Sequence, residues 1–289
     1  MELLQILVSG IAQGCVYGLI ALGFVLIYKA TEIVNFAQGD MMMLGAFTAL
    51  SFIGFMGLDY WIGFFFAILS MAAFGYLLDK FVLRYVIGQP QFAIVILTIS
   101  LGFIFRALAG IFWGHEPISF VTPFTNQVIE VGGLVIAQES LSIIVGTVLL
   151  AGLLYLFFTH TKLGVAMQAS SQNQLAAYYM GIPVKMVFSL IWAISAGVST
   201  VAGVLLSPIS LIDAEMGFMG IKAFAAAVVG GFGSLPGALL GGAIIGVSEQ
   251  MAGAYLPAGF KQITAFVIML AVLTLRPQGL FAQIQRKKV

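Results

Sequence analysis

The stretch from Leu3 to Tyr28 contains no charged residue and no proline. In an aqueous domain such a segment would have to be buried on every side. In a bilayer it needs only to satisfy its own backbone hydrogen bonds, which a helix does, and its length exceeds the roughly 20 residues that a crossing requires. It is too long for the apolar region of a signal peptide, and Glu2 stands where such a peptide would carry basic residues, so it reads as an uncleaved first span. Gly10, Gly14 and Gly18 recur at every fourth position, the spacing that lets two helix backbones approach closely in lipid, and they are the candidate helix-packing residues.

The rest of the chain has the same character. Of its residues 61% are hydrophobic and 8% charged, which defines an all-α polytopic membrane protein forming one transmembrane domain over residues 1–289. The net charge of +1 excludes a nucleic-acid partner and leaves the lipid bilayer as the medium. Cys15, the single cysteine, excludes an internal disulfide, a Cys-ligated zinc site and a redox pair.

Further apolar stretches fall at 41–58, Tyr60–Leu78, Gln91–Trp113, Ser140–Phe158, Met186–Leu206, Phe218–Gly231, Gly237–Met251 and Gln262–Leu275, predicting about seven to nine transmembrane helices. Those on either side of the glycine-rich 230–237 link are short, so they are two full spans or a re-entrant pair. Between the first two stretches lies TEIVNFAQGD (31–40), where Asn35, Gln38 and Asp40 cluster around Gly39. Polar residues placed this way mark a helix interrupted inside the protein, or else a plain turn capping the second span. They are the candidate substrate-pathway residues. Arg106 lies inside an apolar segment and is expected to snorkel or to pair with Glu116 or another acid. Lys222 is an interfacial snorkeller or the partner of a buried acid. Asp40 and Glu249 are the carboxylates expected at membrane depth, the other acids falling in loops or at span ends.

One polar interval, THTKLGVAMQASSQNQLAAYYMGIPVK (159–185), is the candidate attachment site for a partner. Ser171 and Gln174 have the spacing of a capping box, which predicts a helix of two to three turns continuing through Leu175, Ala176 and Ala177 to Met180. Gly181 suits the left-handed position beyond a helix end, and Pro183 forbids continuation. Such a helix cannot cross a bilayer, so it lies on the membrane or docks in a groove of a cytoplasmic protein.

If the C-terminal tail is cytoplasmic, then Lys29, Lys80, Arg84, Lys162, Lys185, Arg276 and the Arg286–Lys288 run all fall inside, and the acidic loops, including residues 114–139, fall outside. The positive-inside rule therefore predicts an outside N-terminus, an odd number of crossings and a cytoplasmic 159–185 loop.

The chain carries no HExxH, no Cys/His metal spacing and no GxxxxGK[ST] loop, and His115 and His160 are expected at opposite faces, so neither a metal nor a catalytic residue is assigned. Work done by nucleotide would have to come from another subunit. The competing expectation is an ion-coupled carrier, which needs titratable groups near the midplane.

The motifs IVNFAQGDMMMLGAF (33–47), AAYYMGI (176–182), GGFGSLPGALLGG (230–242) and LRPQGLF (275–281) together resemble the H-type integral-membrane permease subunits of bacterial branched-chain amino acid ABC importers. The resemblance implies the ABC importer permease fold, residence in the bacterial inner membrane and a pathway shared with a second, related permease subunit. It also implies two ATP-binding subunits that hold the ATP and Mg, and a periplasmic substrate-binding protein. Leu, Ile or Val is the implied cargo, with other amino acids, short amides or urea carried by relatives. The 159–185 loop would be the coupling helix, with Ala176, Ala177 and Gly181 matching the Ala-Ala-x-x-x-Gly core of the importer loop. Leu175 stands where an acid commonly precedes the alanines, so attachment is expected through shape and apolar contact.

Overall fold

The computed structural model describes residues 2–86, 89–131 and 134–281. Gly132 and Gly133, within the 114–139 loop, and the basic run Arg286–Lys288 lie outside the described residues.

Helix α1 (Glu2–Thr31) is the central element and is buried over most of its length. It packs antiparallel against α10 (Leu235–Tyr255). Gly10 faces Val247, Gly14 faces Ala243 and Gly18 faces Leu239, while Gly242 and Gly246 meet the α1 backbone from the other side. In lipid no hydrophobic gain separates helix–helix from helix–tail contact, so this close approach of small residues supplies the dispersion energy of association.

Around this pair stand α3 (Tyr60–Phe81), α4 (Gln91–Trp113), α5 (Gln138–His160) and α8 (Val184–Leu206). Asp59 caps α3 by accepting from the Trp61 N–H at 3.0 Å. The segment after α4 carries an antiparallel hairpin of β1 (Val128–Val131) and β2 (Leu134–Ala137), with Val128 opposite Ala137.

Among the described residues five helices are long and apolar enough to cross a membrane, or six when the pair bent by 119° at residues 231–234 counts as one span. This is fewer than the seven to nine expected. The difference lies in short helices: α2 (Gln38–Leu50), which runs on into a π-helical turn at Ser51–Phe55, α9 (Met219–Gly230) and α11 (Phe260–Leu275). At 1.5 Å per residue, the 12 residues of α9 reach about 18 Å against a hydrocarbon core of about 30 Å. Hydropathy registers these pieces as spans, although each helix is shorter than a full crossing requires.

The two ends of α1 are chemically distinct. At its start Gln5 donates to the Val135 carbonyl of the hairpin (3.3 Å), and a bridge between Ile118 and Ile212 joins the segment after α4 to the one after α8. At its other end Gln174 donates to the Ala30 carbonyl (3.3 Å), the Tyr28 and Phe232 rings lie 4.8 Å apart, and Leu280 bonds back to the Val229 carbonyl.

Candidate functional site

The break between α1 and α2 is built from its own sequence. Thr31 folds its hydroxyl onto the Ile27 carbonyl, and Glu32 takes a left-handed backbone (φ 58°) that stops α1. The Asn35 side chain then accepts from the Ala37 N–H (3.1 Å), a local turn that starts α2. Asn35 also donates to Gln38 (3.1 Å), and Gln38 donates to Ser195 (3.0 Å) and Ser199 on α8. Both amides are fully buried. The interrupted-helix expectation thus describes the observed geometry, and the alternative of a plain capping turn does not.

Asp40, in the first turn of α2, is 2% exposed and is held by Arg106 of α4 through Nε–Oδ1 (2.6 Å) and Nη2–Oδ2 (3.4 Å). The guanidinium also lies 3.8 Å from the centre of the Phe218 ring. Arg106 therefore pairs with Asp40, another acid in the sense expected, and Glu116 is not its partner. Asn35, Gln38 and Asp40 do come together, but their polar atoms are spent inside the protein. The grooves between α3 and α5, α10 and α11, and α1 and α5 are lined by other residues.

Lys222 of α9 lies 2.9 Å from Oε1 of the fully buried Glu249 on α10, resolving its two readings in favour of the buried acid. The ammonium stands outside hydrogen-bonding direction at that oxygen, so this is an ion contact rather than a directed bond. Tyr17 of α1 donates to the other oxygen at 2.8 Å, and Gln13, Gln250 and Lys261 continue the polar chain.

A third buried acid is Asp79, one of those expected in loops or at span ends. Helix α3 continues past it, and Asp79 is 0% exposed. Ser189 of α8 donates to Asp79 (2.6 Å), and Arg84 reaches Asp79 Oδ2 (3.8 Å), Ser189 (2.9 Å) and the Lys185 carbonyl (3.3 Å). Its legible signal was position: Asp79 lies within a helical turn of the apolar run that precedes it.

The 159–185 interval forms α6 (Lys162–Gln172) and α7 (Gln174–Tyr179). The capping box is corrected: Ser171 lies inside α6 and bonds the Gln168 carbonyl, while Asn173 caps α7 by accepting from the Ala176 N–H (2.9 Å). Asn173 can do this because α6 ends at Gln172, leaving it extended at φ −156°. Helix α7 has six residues, shorter than the two to three turns expected. Its far end closes as the sequence predicts. Gly181 adopts φ 83°, its N–H bonds the Tyr178 carbonyl and the Ile182 N–H bonds the Ala177 carbonyl, a complete Schellman motif. Ala177 is packed inward, and Leu175, Tyr178, Tyr179 and Met180 are exposed.

Short broken helices enclosed in a membrane bundle, buried ion pairs between those helices and a rigidly capped apolar knob at one end define an integral-membrane transport subunit. The family described as "Branched-chain amino acid transport system / permease component" matches residues 6–273, and the chain belongs to that family. The chain is 31% identical to the high-affinity branched-chain amino acid transport system permease protein LivH of Salmonella typhimurium, over 99% of this chain and 97% of that one. It is equally similar, at 31%, to BraD of Pseudomonas aeruginosa, over 99% and 98%. A chain of the structure of PsaBC from Streptococcus pneumoniae in complex with Fab superposes with a TM-score of 0.51 at 17% identity, covering 95% of this chain and 91% of that chain. At that identity the likeness concerns the fold alone.

Proposed function

We propose that this chain is the permease subunit of an ATP-driven importer of branched-chain amino acids, forming the translocation path with a second, related permease. Two ATP-binding subunits would hold the ATP and Mg, and a periplasmic binding protein would deliver the substrate. The observation that carries the coupling is α7. Tyr178, Tyr179 and Met180 are 67%, 78% and 82% exposed on a helix fastened at both ends, which presents an apolar knob of fixed shape. Leu175, in place of an acid, joins that surface, consistent with attachment by packing. Ser171, Gln174, Ala176 and Ala177 position the knob, and Gly181 ends it.

The orientation follows the same reading. The α7 end of α1 collects Lys29, Arg84, Lys162 and Lys185, and the hairpin end collects Glu116, Glu130 and Glu139. The positive-inside rule supports a cytoplasmic knob and C-terminus, with the N-terminus outside.

For the pathway, Asn35, Gln38 and Asp40 are assigned to bracing the break. The surface that they brace carries Phe36, Phe218 and Ile221, all partly exposed, between the half-buried cations Arg106 and Lys222. An apolar wall flanked by polar groups suits a zwitterion with an aliphatic side chain. Both Asp40 and Glu249 already carry cationic partners, which favours the ATP-driven reading over an ion relay.

Purification in mild detergent tests the proposal. ATPases should co-purify, hydrolyse ATP and crosslink to Met180→Cys. A chain that purifies alone and moves leucine down an ion gradient overturns it.

A further inference from the structure

A groove of about 630 Å³ runs between α1, α5, α6 and the start of α10, and it is graded in polarity along its length. At one end it is walled by Leu22, Leu26, Leu154 and Leu239. Towards the C-terminal ends of α1 and α5 the lining becomes Lys29, Thr159, Gln168 and Ser171. From Leu22 to Lys29 the graded wall spans about 10 Å of helix. Lys29 is exposed, and among the described residues no carboxylate lies within ion-pair distance of it. Leu235 and Pro236, in the first turn of α10, border the groove, so the positive end of that helix dipole acts with Lys29.

We infer that this groove holds one anionic phospholipid, with an acyl chain against the leucine wall and the phosphate at Lys29. The neighbouring surface supports lipid over a protein occupant. Helix α5 exposes Val145, Val148, Leu149, Leu153 and Leu156, an open apolar face of the kind that lipid tails cover. A basic pocket between spans at their cytoplasmic ends is where an acidic headgroup is attracted, at about 1 kcal/mol per lysine. Gly152 lines the groove, and a Cβ at this position would meet no other atom within 4 Å, so the space beside it is open at the apolar wall. Met167, Gln168 and Ser171 bring α6 into the same groove, so the bound lipid braces the helix that leads directly into α7.

Native mass spectrometry of the full chain, purified with whatever subunits accompany it, tests this in micelles of equal phosphatidylcholine and phosphatidylglycerol. The wild type should retain phosphatidylglycerol in preference to phosphatidylcholine. Lys29→Gln should lower that retention about fivefold, the factor expected from about 1 kcal/mol, while Lys29→Arg preserves it. Gly152→Phe, which builds from an open Cβ position into the apolar end, should expel both lipids. Equal retention of the two lipids by the wild type, or unchanged phosphatidylglycerol on both Lys29→Gln and Gly152→Phe, overturns the inference. So does a crosslink from Gly152→Cys to another subunit in the native membrane, which would show the groove filled by protein. The readout is bound lipid, so it stands or fails separately from the importer reading.

Discussion

Helices α5 and α8 have the same length, 23 residues, and both are strongly apolar, yet they occupy opposite environments. Helix α8 is buried nearly throughout and α5 is mostly exposed. The distinction lies in small and polar residues. Ser189, Ser195, Ser199 and Thr200 of α8 are all fully buried, three of them in bonds to Asp79 or Gln38, whereas α5 presents Leu149, Leu153, Tyr155 and Leu156 outward. In water the more hydrophobic helix would be the core. In a bilayer lipid tails are as apolar as leucine, so the core is where close packing and hydrogen bonds can be made.

Substitutions test this contrast, beginning with the most severe. Gly14→Leu places a side chain against the Ala243 backbone at 2.7 Å and should prevent α1 from meeting α10, exceeding the usual ~1–3 kcal/mol of overpacking. Folded protein in the membrane fraction should be lost. Gly152→Leu on α5 should instead leave yield and melting temperature unchanged within about 0.5 kcal/mol. Equal damage at both sites would erase the distinction between core and lipid-facing helices.

Arg106→Ala leaves Asp40 buried and unpaired, a loss of about 3 kcal/mol, at the low end of the usual range because the arginine side chain is 20% exposed. Thermal unfolding should show the loss, and combining it with Asp40→Asn should recover part of it. If the double variant is no more stable than Arg106→Ala, the pair does not act as a unit.

Gly181→Val forces a β-branched residue into a left-handed backbone, at about 1–2 kcal/mol local cost. Insertion should be normal and transport lost. Normal transport by this variant would mean that the shape of α7 does not matter.

Among the variants expected to lose stability, the smallest loss is that of Arg84→Gln, about 1 kcal/mol, since the arginine side chain is 30% exposed. Because Arg84 links α3 to the Lys185 carbonyl just beyond α7, ATP hydrolysis should continue while less substrate moves per ATP. An unchanged transport-to-hydrolysis ratio would show that the link is only structural.

Much of the candidate site was legible at short range. Gly181 and Pro183 announced the end of α7, and Asn35, Gln38 and Asp40 announced a break, because turn and cap chemistry is decided within a few residues. The cap at Asn173 was misplaced by two residues because Ser171 has the right chemistry but lies within α6, whose end only the packed chain defines. The Arg106–Asp40, Lys222–Glu249 and Arg84–Ser189 contacts join residues 66, 27 and 105 positions apart in the chain, and no periodicity connects them.

The sequence by itself thus determined a membrane protein of apolar helices, the positions of most helix ends, the glycine face of α1 and the polar interval at 159–185. Each follows from local backbone chemistry or from composition. Only the tertiary structure decided where the apolar segments break, which helix is core and which is exposed, and which acid meets which base. In a bilayer hydropathy does not rank these alternatives, and they are separated by packing and hydrogen bonds between distant segments.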